Sequence, residues 1–121
     1  MPPWGETIRR QLRQLLELSP NWNSYSAHSV DPVLADAAWD LLSSLARDDT
    51  PAPAVIPTVR GGVQLEWHLR QIDLEIEFLV PQQCAILFED MRAGECWEKE
   101  LNVGAIELRD VLARLSAAAH P

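Results

Sequence analysis

The chain has 121 residues, with 10 lysines and arginines against 18 aspartates and glutamates, and 47% of its residues are hydrophobic. A chain of this length buries about two thirds of its unfolded surface, which suffices for one core and argues against a two-domain enzyme. The formal net charge of -8 argues against direct binding to nucleic acid or anionic lipid, because phosphate contacts need a basic surface.

Neither membrane nor export signals are visible in the sequence. No window approaches the roughly 20 uninterrupted apolar residues that span a bilayer. The start, MPPWGETIRR, lacks the apolar core of a signal peptide. We therefore expect a cytoplasmic protein with no membrane contact.

The two cysteines, Cys84 and Cys96, carry little chemistry. They form no CxxC pair and have no histidine at zinc-finger spacing, which excludes a structural zinc site of that kind. The strand register derived below does not place them opposite each other, so it predicts no disulfide. We expect two buried free thiols.

The helical part is predicted over residues 1–47. Apolar residues recur at helical spacing from Gly5 to Leu18, which predicts an amphipathic helix. A polar, Asn- and Ser-rich stretch at 21–29 then favours a loop. Asp31 followed by Pro32 is a helix-start pattern, and it predicts a second helix running to about Arg47.

The period of the apolar residues changes from 3.6 to 2 after a proline-rich connector at 48–53. An antiparallel meander of four or five strands is predicted over 54–101, beginning near Val55, Ile56 and Val59. Pro57 cannot donate a ladder hydrogen bond, so the first strand is placed at an edge. A C-terminal helix is predicted over 103–118. The whole chain, 1–121, is thus predicted to be one α+β domain with its helices on one face of the sheet.

A tight turn at Arg70 and Gln71 would place Glu66 opposite Glu75 and His68 opposite Asp73. A further turn at 91–94 would place Phe88 opposite Trp97, Cys84 opposite Leu101 and Cys96 opposite Glu89. The apolar residues of every strand then share one face. The other face, which we call the outer face, collects Gln64, Glu66, His68, Asp73, Glu75, Glu77, Ala85, Leu87, Glu89, Cys96, Glu98 and Glu100.

Three interpretations of the outer face compete. In the first, it is a solvated surface of an acidic protein, as antiparallel sheets often have. In the second, it is a recognition surface for a positively charged protein, because clustered carboxylates attract a basic partner. In the third, it holds a manganese, iron or zinc ion at Glu66, His68, Asp73 and Glu75, which would allow a small metal-dependent hydrolase.

Known catalytic patterns are absent from the sequence. It has no GxSxG elbow, no phosphate-binding glycine loop and no HExxH helix, and the pair Gly61 and Gly62 is explained as a turn. We predict no catalytic residue and no cofactor. A homodimer formed through a sheet edge, or through Ala85 and Leu87, is a further alternative.

The loop at 21–27, NWNSYSA, carries Trp22 and Tyr25, which are expected to pin the loop down. Together with the PTVRGGVQLEW segment at 57–67 and LEIE at 74–77, this loop resembles a family of small, uncharacterised bacterial proteins. That family has an NWDGYGA-like loop, a PTxxGGxQLEW hairpin and an LEIE strand. The resemblance implies a compact bacterial accessory protein, by analogy the antitoxin or immunity half of a toxin or defence system.

The leading hypothesis from the sequence is a non-enzymatic module that binds a basic partner protein through its outer face. The residues expected to contact the partner are Glu66, His68, Asp73, Glu75, Glu77, Trp22 and Tyr25.

Overall fold

A computed structural model describes residues 2–119. Two helices, α1 (Gly5–Leu15) and α2 (Pro32–Leu45), precede the sheet. The strands are β1 (Ala54–Pro57), β2 (Val63–Leu69), β3 (Ile72–Val80), β4 (Gln83–Asp90) and β5 (Glu95–Asn102), and the last helix is α3 (Ile106–Ala119). The five strands pair in sequence order, each antiparallel to the next, so the predicted α+β meander is confirmed.

The helix ends differ modestly from the predicted ones. α1 stops at Leu15 rather than Leu18, because the next backbone N–H groups donate three residues back and tighten the chain ahead of Pro20. α2 begins as predicted: the Asp31 side chain accepts from the Val33 N–H at 2.9 Å, and proline stands at the first helical position. It ends at Leu45 instead of Arg47.

The predicted strand register is confirmed, including the pairs Glu66 with Glu75 and Phe88 with Trp97. Pro57 lies in edge strand β1, as expected. Val59 was wrongly assigned to that strand. It lies in the β1–β2 turn and is 53% exposed.

The core lies between the helices and the inner face of the sheet. Inward-pointing residues of β2, β3 and β4 are almost completely buried, and they form one cluster with apolar residues of all three helices. The largest fully buried side chains on the sheet are Leu65, Ile72, Leu74, Ile76, Phe78 and Phe88. The outer face carries no helix, so its side chains are half-buried or exposed.

The turn at Gly61 and Gly62 has a second role that the sequence analysis missed. A Cβ on Gly61 would lie 2.7 Å from the Ser29 carbonyl oxygen, and one on Gly62 would lie 2.6 Å from the Phe78 carbonyl oxygen. The Gly61 carbonyl accepts from the Asp31 N–H at 2.9 Å. Gly61 thus lets the 21–30 segment lie closely against the turn, and Gly62 lets β3 do so.

Candidate functional site

The outer face is organised as three rows of residues that run across the strands. One row is Gln64, Glu77, Ala85 and Glu100; the next is Glu66, Glu75, Leu87 and Glu98; the third is His68, Asp73, Glu89 and Cys96. None of these twelve positions, all within the described residues, holds a lysine or arginine. Seven of them are carboxylates, so the sheet presents a surface of one charge sign.

Four of the predicted residues meet at one corner of this face. Glu66 and His68 point outward from β2, and each has its cross-strand partner on β3, Glu75 and Asp73 respectively. His68 Nδ1 lies 2.8 Å from Asp73 Oδ1, and His68 Nε2 lies 3.9 Å from Glu66 Oε2. Because side chains alternate between the two faces of a strand, the outward residues of β2 and β3 place one imidazole beside three carboxylates.

A neighbouring amide holds one of these carboxylates in place. The Gln64 side chain donates from Nε2 to Glu66 Oε1 at 2.9 Å. The other oxygen of Glu66 faces His68. Sequence reasoning placed Gln64 on this face but gave it no role, although its position two residues before Glu66 on the same strand puts the two side chains on the same face.

The charges at this corner raise the pKa values of two groups. The hydrogen bond with Asp73 raises the pKa of His68 above its usual value. Partial burial lowers this pKa, and the nearby carboxylate charges raise it. Partial burial raises the pKa of Glu75, and a hydrogen bond with Glu66 and the charge of Glu66 raise it further. The corner thus holds protons more strongly than isolated side chains do.

A groove of about 390 Å³ runs along β4 on the same face. Its apolar floor includes Ala85 and Leu87, and Leu87 is 36% exposed. Acidic side chains line both of its sides: Glu75 and Glu77 from β3, and Glu98 and Glu100 from β5. Leu87 and Ala85 were both predicted to be exposed on this face; Leu87 is exposed, but Ala85 is half-buried. The groove was not predicted.

Lys99 is also among the residues that line this groove, but its ammonium group contacts the inward-pointing Trp97. It belongs to the inward-pointing set of edge strand β5, two residues after Trp97. Its ammonium group lies 4.7 Å from the centre of the Trp97 ring. We therefore expect little neutralisation of Glu98 and Glu100 from within the chain.

The structure does not bring Trp22 and Tyr25 to the carboxylate corner. Their loop is hydrogen-bonded to the β1–β2 turn, through the His28 N–H to the Val59 carbonyl at 2.9 Å. The corner lies toward the other end of β2, about 16 Å along the strand at 3.3 Å per residue. Trp22 pins the loop by donating to the His28 carbonyl at 3.0 Å. Tyr25 does not, because its side chain stands 86% exposed.

The two thiols differ in accessibility. Cys84 is buried, as predicted, and burial raises its pKa to about 12. Cys96 was wrongly expected to be buried. It points outward from edge strand β5, opposite Glu89, and is exposed.

Searches among protein-family models, curated proteins and solved structures gave no match to this chain. Within residues 2–119, no helix has the length and apolar character that crossing a membrane requires.

Proposed function

We propose that the protein is a non-enzymatic binding module whose outer face binds a basic segment of a partner protein. The observation that carries the proposal is the groove over Ala85 and Leu87, with an apolar floor and two carboxylate-bearing sides. Lysine and arginine side chains combine an aliphatic stem with a cationic head. Such a side chain can lay its stem on the floor and direct its head to either side.

The dimensions of the groove suit this occupant. Adjacent strands lie about 4.8 Å apart, so the acidic rows on β3 and β5 stand about 10 Å from each other. That spacing lets a cationic group approach carboxylates from both rows. Arginine would form paired hydrogen bonds with a carboxylate there, which lysine cannot do.

The same features disfavour a second copy of this chain as the occupant of the outer face. Two such faces would bring carboxylates against carboxylates, and like charges directly opposed are destabilising. The partner in this proposal is therefore a different protein with a basic surface. Direct binding to nucleic acid is opposed by the same charge argument.

The loop at 21–27 supports the resemblance to the bacterial accessory family in physical terms. Ser24 and Ser26, each with φ of 64°, stand where the family pattern has glycine, the residue that adopts this conformation without strain. Asn23 stands where the pattern has aspartate, and its Oδ1 accepts from the Tyr25 and Ala27 N–H groups, as a carboxylate would. By analogy with that family, we propose that the module is a cytoplasmic, antitoxin- or immunity-like protein, with Tyr25 and Trp22 as a second partner contact.

The experiment that tests the proposal is capture of partners from a lysate of the source organism by the tagged protein, at low and at moderate salt. Mass spectrometry then identifies the retained proteins. We expect one dominant basic protein whose retention falls as salt rises, because exposed charge pairs are screened. Retention of no basic protein, or of one that does not respond to salt, contradicts the proposal.

A further inference from the structure

We propose that His68, Glu66 and Glu75 form a binding site for one zinc-class divalent ion on the outer face. The inference does not rest on the proposed binding of a basic partner, although Glu75 belongs both to this site and to the groove. It rests on the convergence of three ligand atoms and on the contacts that orient two of them.

The three ligand atoms converge from two central strands. One nitrogen of His68 and one oxygen each of Glu66 and Glu75 all lie within 4.8 Å of one another. His68 Nε2 and Glu66 Oε2 are 3.9 Å apart. Two ligands of a tetrahedral zinc ion stand about 3.3 Å apart, given bond lengths of about 2.0–2.2 Å. Small side-chain rotations would therefore close the three atoms onto one ion.

Contacts outside the ligand set orient two of the three ligands. His68 Nδ1 bonds to Asp73 Oδ1 at 2.8 Å, which leaves Nε2 directed toward Glu66. A carboxylate on the second ring nitrogen is the usual companion of a metal-bound histidine. Gln64 holds Glu66 Oε1 at 2.9 Å and leaves Oε2 available. Both contacts orient ligand atoms in the way that hydrogen bonds outside the ligand set do in metal sites.

The surroundings suit an accessible ion rather than an enclosed one. The His68 side chain is 54% exposed, and that of Glu66 is 16% exposed. Three protein ligands leave at least one position of a tetrahedral ion open to water or to a side chain of another molecule. An imidazole with two carboxylates is a donor set that zinc accepts. The bound ion would also join β2 to β3 and neutralise the opposed pair Glu66 and Glu75.

The test is calorimetric titration of tag-free protein with Zn²⁺, together with the visible absorption of the protein bound to Co²⁺. We expect one equivalent to bind with a dissociation constant in the micromolar range or tighter, and Co²⁺ to give a tetrahedral spectrum. His68→Gln and Glu75→Gln should each weaken binding at least tenfold. The matched controls, His28→Gln in the loop and Glu98→Gln on the same face, should leave the constant within twofold.

Four results would overturn the site. The first is the absence of saturable Zn²⁺ binding at concentrations up to about 1 mM, where only weak contacts bind. The second is unchanged binding in His68→Gln. The third is equal weakening by Glu98→Gln, which would indicate general attraction of counterions by the acidic face. The fourth is a thiolate absorption band that disappears in Cys96→Ser, which would place the ion elsewhere. NMR of the histidine rings gives a check in the unaltered chain: Zn²⁺ should shift the signals of His68 and leave those of His28 in place.

Discussion

The two faces of the sheet treat their carboxylates differently. On the helix side, the Arg114 guanidinium of α3 contacts Asp90 at 3.6 Å and Asp110 at 3.2 Å, and it also bonds to Glu95. The buried carboxylate of Asp90 accepts two backbone N–H groups as well, from Arg92 and Ala93. On the outer face, Glu66 and Glu75 oppose each other directly, and no lysine or arginine occupies any outward position of β2 to β5.

The charged side chains on the helix side stabilise the fold, whereas those on the outer face do not. The Arg114 cluster ties α3 to the end of the β4–β5 hairpin, and the guanidinium also lies 5.4 Å from the centre of the Phe88 ring. The opposed glutamates of the outer face cost a few tenths to about 1 kcal/mol instead. The opposed glutamates lower the stability of the fold, so we attribute this charge pattern to binding rather than to folding.

The largest effect on stability is expected from removing the cation on the helix side. Arg114→Ala should lower the free energy of unfolding by about 2 kcal/mol, because it leaves the buried Asp90 carboxylate without its counterion. Urea unfolding measures this change. Arg109→Ala, on an exposed position of the same helix, is the control and should change stability by less than about 0.5 kcal/mol. Equal losses in the two variants would contradict the assigned role of Arg114.

A smaller effect of opposite sign is expected on the outer face. Glu75→Gln should raise the free energy of unfolding by a few tenths to about 1 kcal/mol, because it removes a like charge opposite Glu66. The glutamine amide can still donate a hydrogen bond to Glu66. Glu98→Gln faces Leu87 rather than a carboxylate and should change stability less. Thermal unfolding distinguishes the two, and a loss of stability in Glu75→Gln would contradict this account of the face.

The pH dependence of stability should be a further small effect, below about 1 kcal/mol, because solvent screens the exposed His68 and the only partly buried Glu75. The pKa of His68 is raised on folding, so its stabilisation is full below about pH 6.5 and is lost as the pH rises through the folded value. The pKa of Glu75 is also raised, so its destabilisation grows above about pH 4.3 and is complete above the folded value. Both groups make stability fall with rising pH.

Urea unfolding midpoints measured between pH 5 and pH 8 test this pH effect. The difference between the unaltered chain and the double variant His68→Gln, Glu75→Gln isolates the two groups from other acidic residues. The unaltered chain should lose more stability across this range than the double variant does. Parallel curves for the two proteins would contradict the prediction.

Much of the fold follows from the sequence because alternation is a strong signal in a sheet with one buried face. A shift of one residue would have buried Glu66 and Glu75 and exposed Leu65, so only one register was compatible with the pattern. Arg70 accommodates the tight turn with φ of 54°. The carboxylate corner follows from that register, since cross-strand partners are fixed once the turn is fixed.

Contacts between distant segments were beyond the sequence pattern. Nothing local predicts that Arg114 reaches Asp90, or that Gly61 lies against the Ser29 carbonyl. The exposure of Cys96, in contrast, agrees with the predicted register, which placed this residue on the outer face opposite Glu89. The exposure of Tyr25 could not be predicted, because it depends on how the loop turns its tyrosine outward. The groove on β4 could not be predicted from the register alone, because its depth depends on how the side chains of its floor and sides pack.

We propose that the outer face, and not acidity in general, binds the partner. The most direct measurement compares partner capture by two double variants with the same change in net charge. One is Glu77→Lys with Glu98→Lys, at the groove and outside the proposed metal ligands; the other is Glu6→Lys with Asp36→Lys, on exposed positions of α1 and α2. We expect at least tenfold lower capture by the groove variant and nearly unchanged capture by the helix variant, with both folded. Equal capture by the two variants would contradict it.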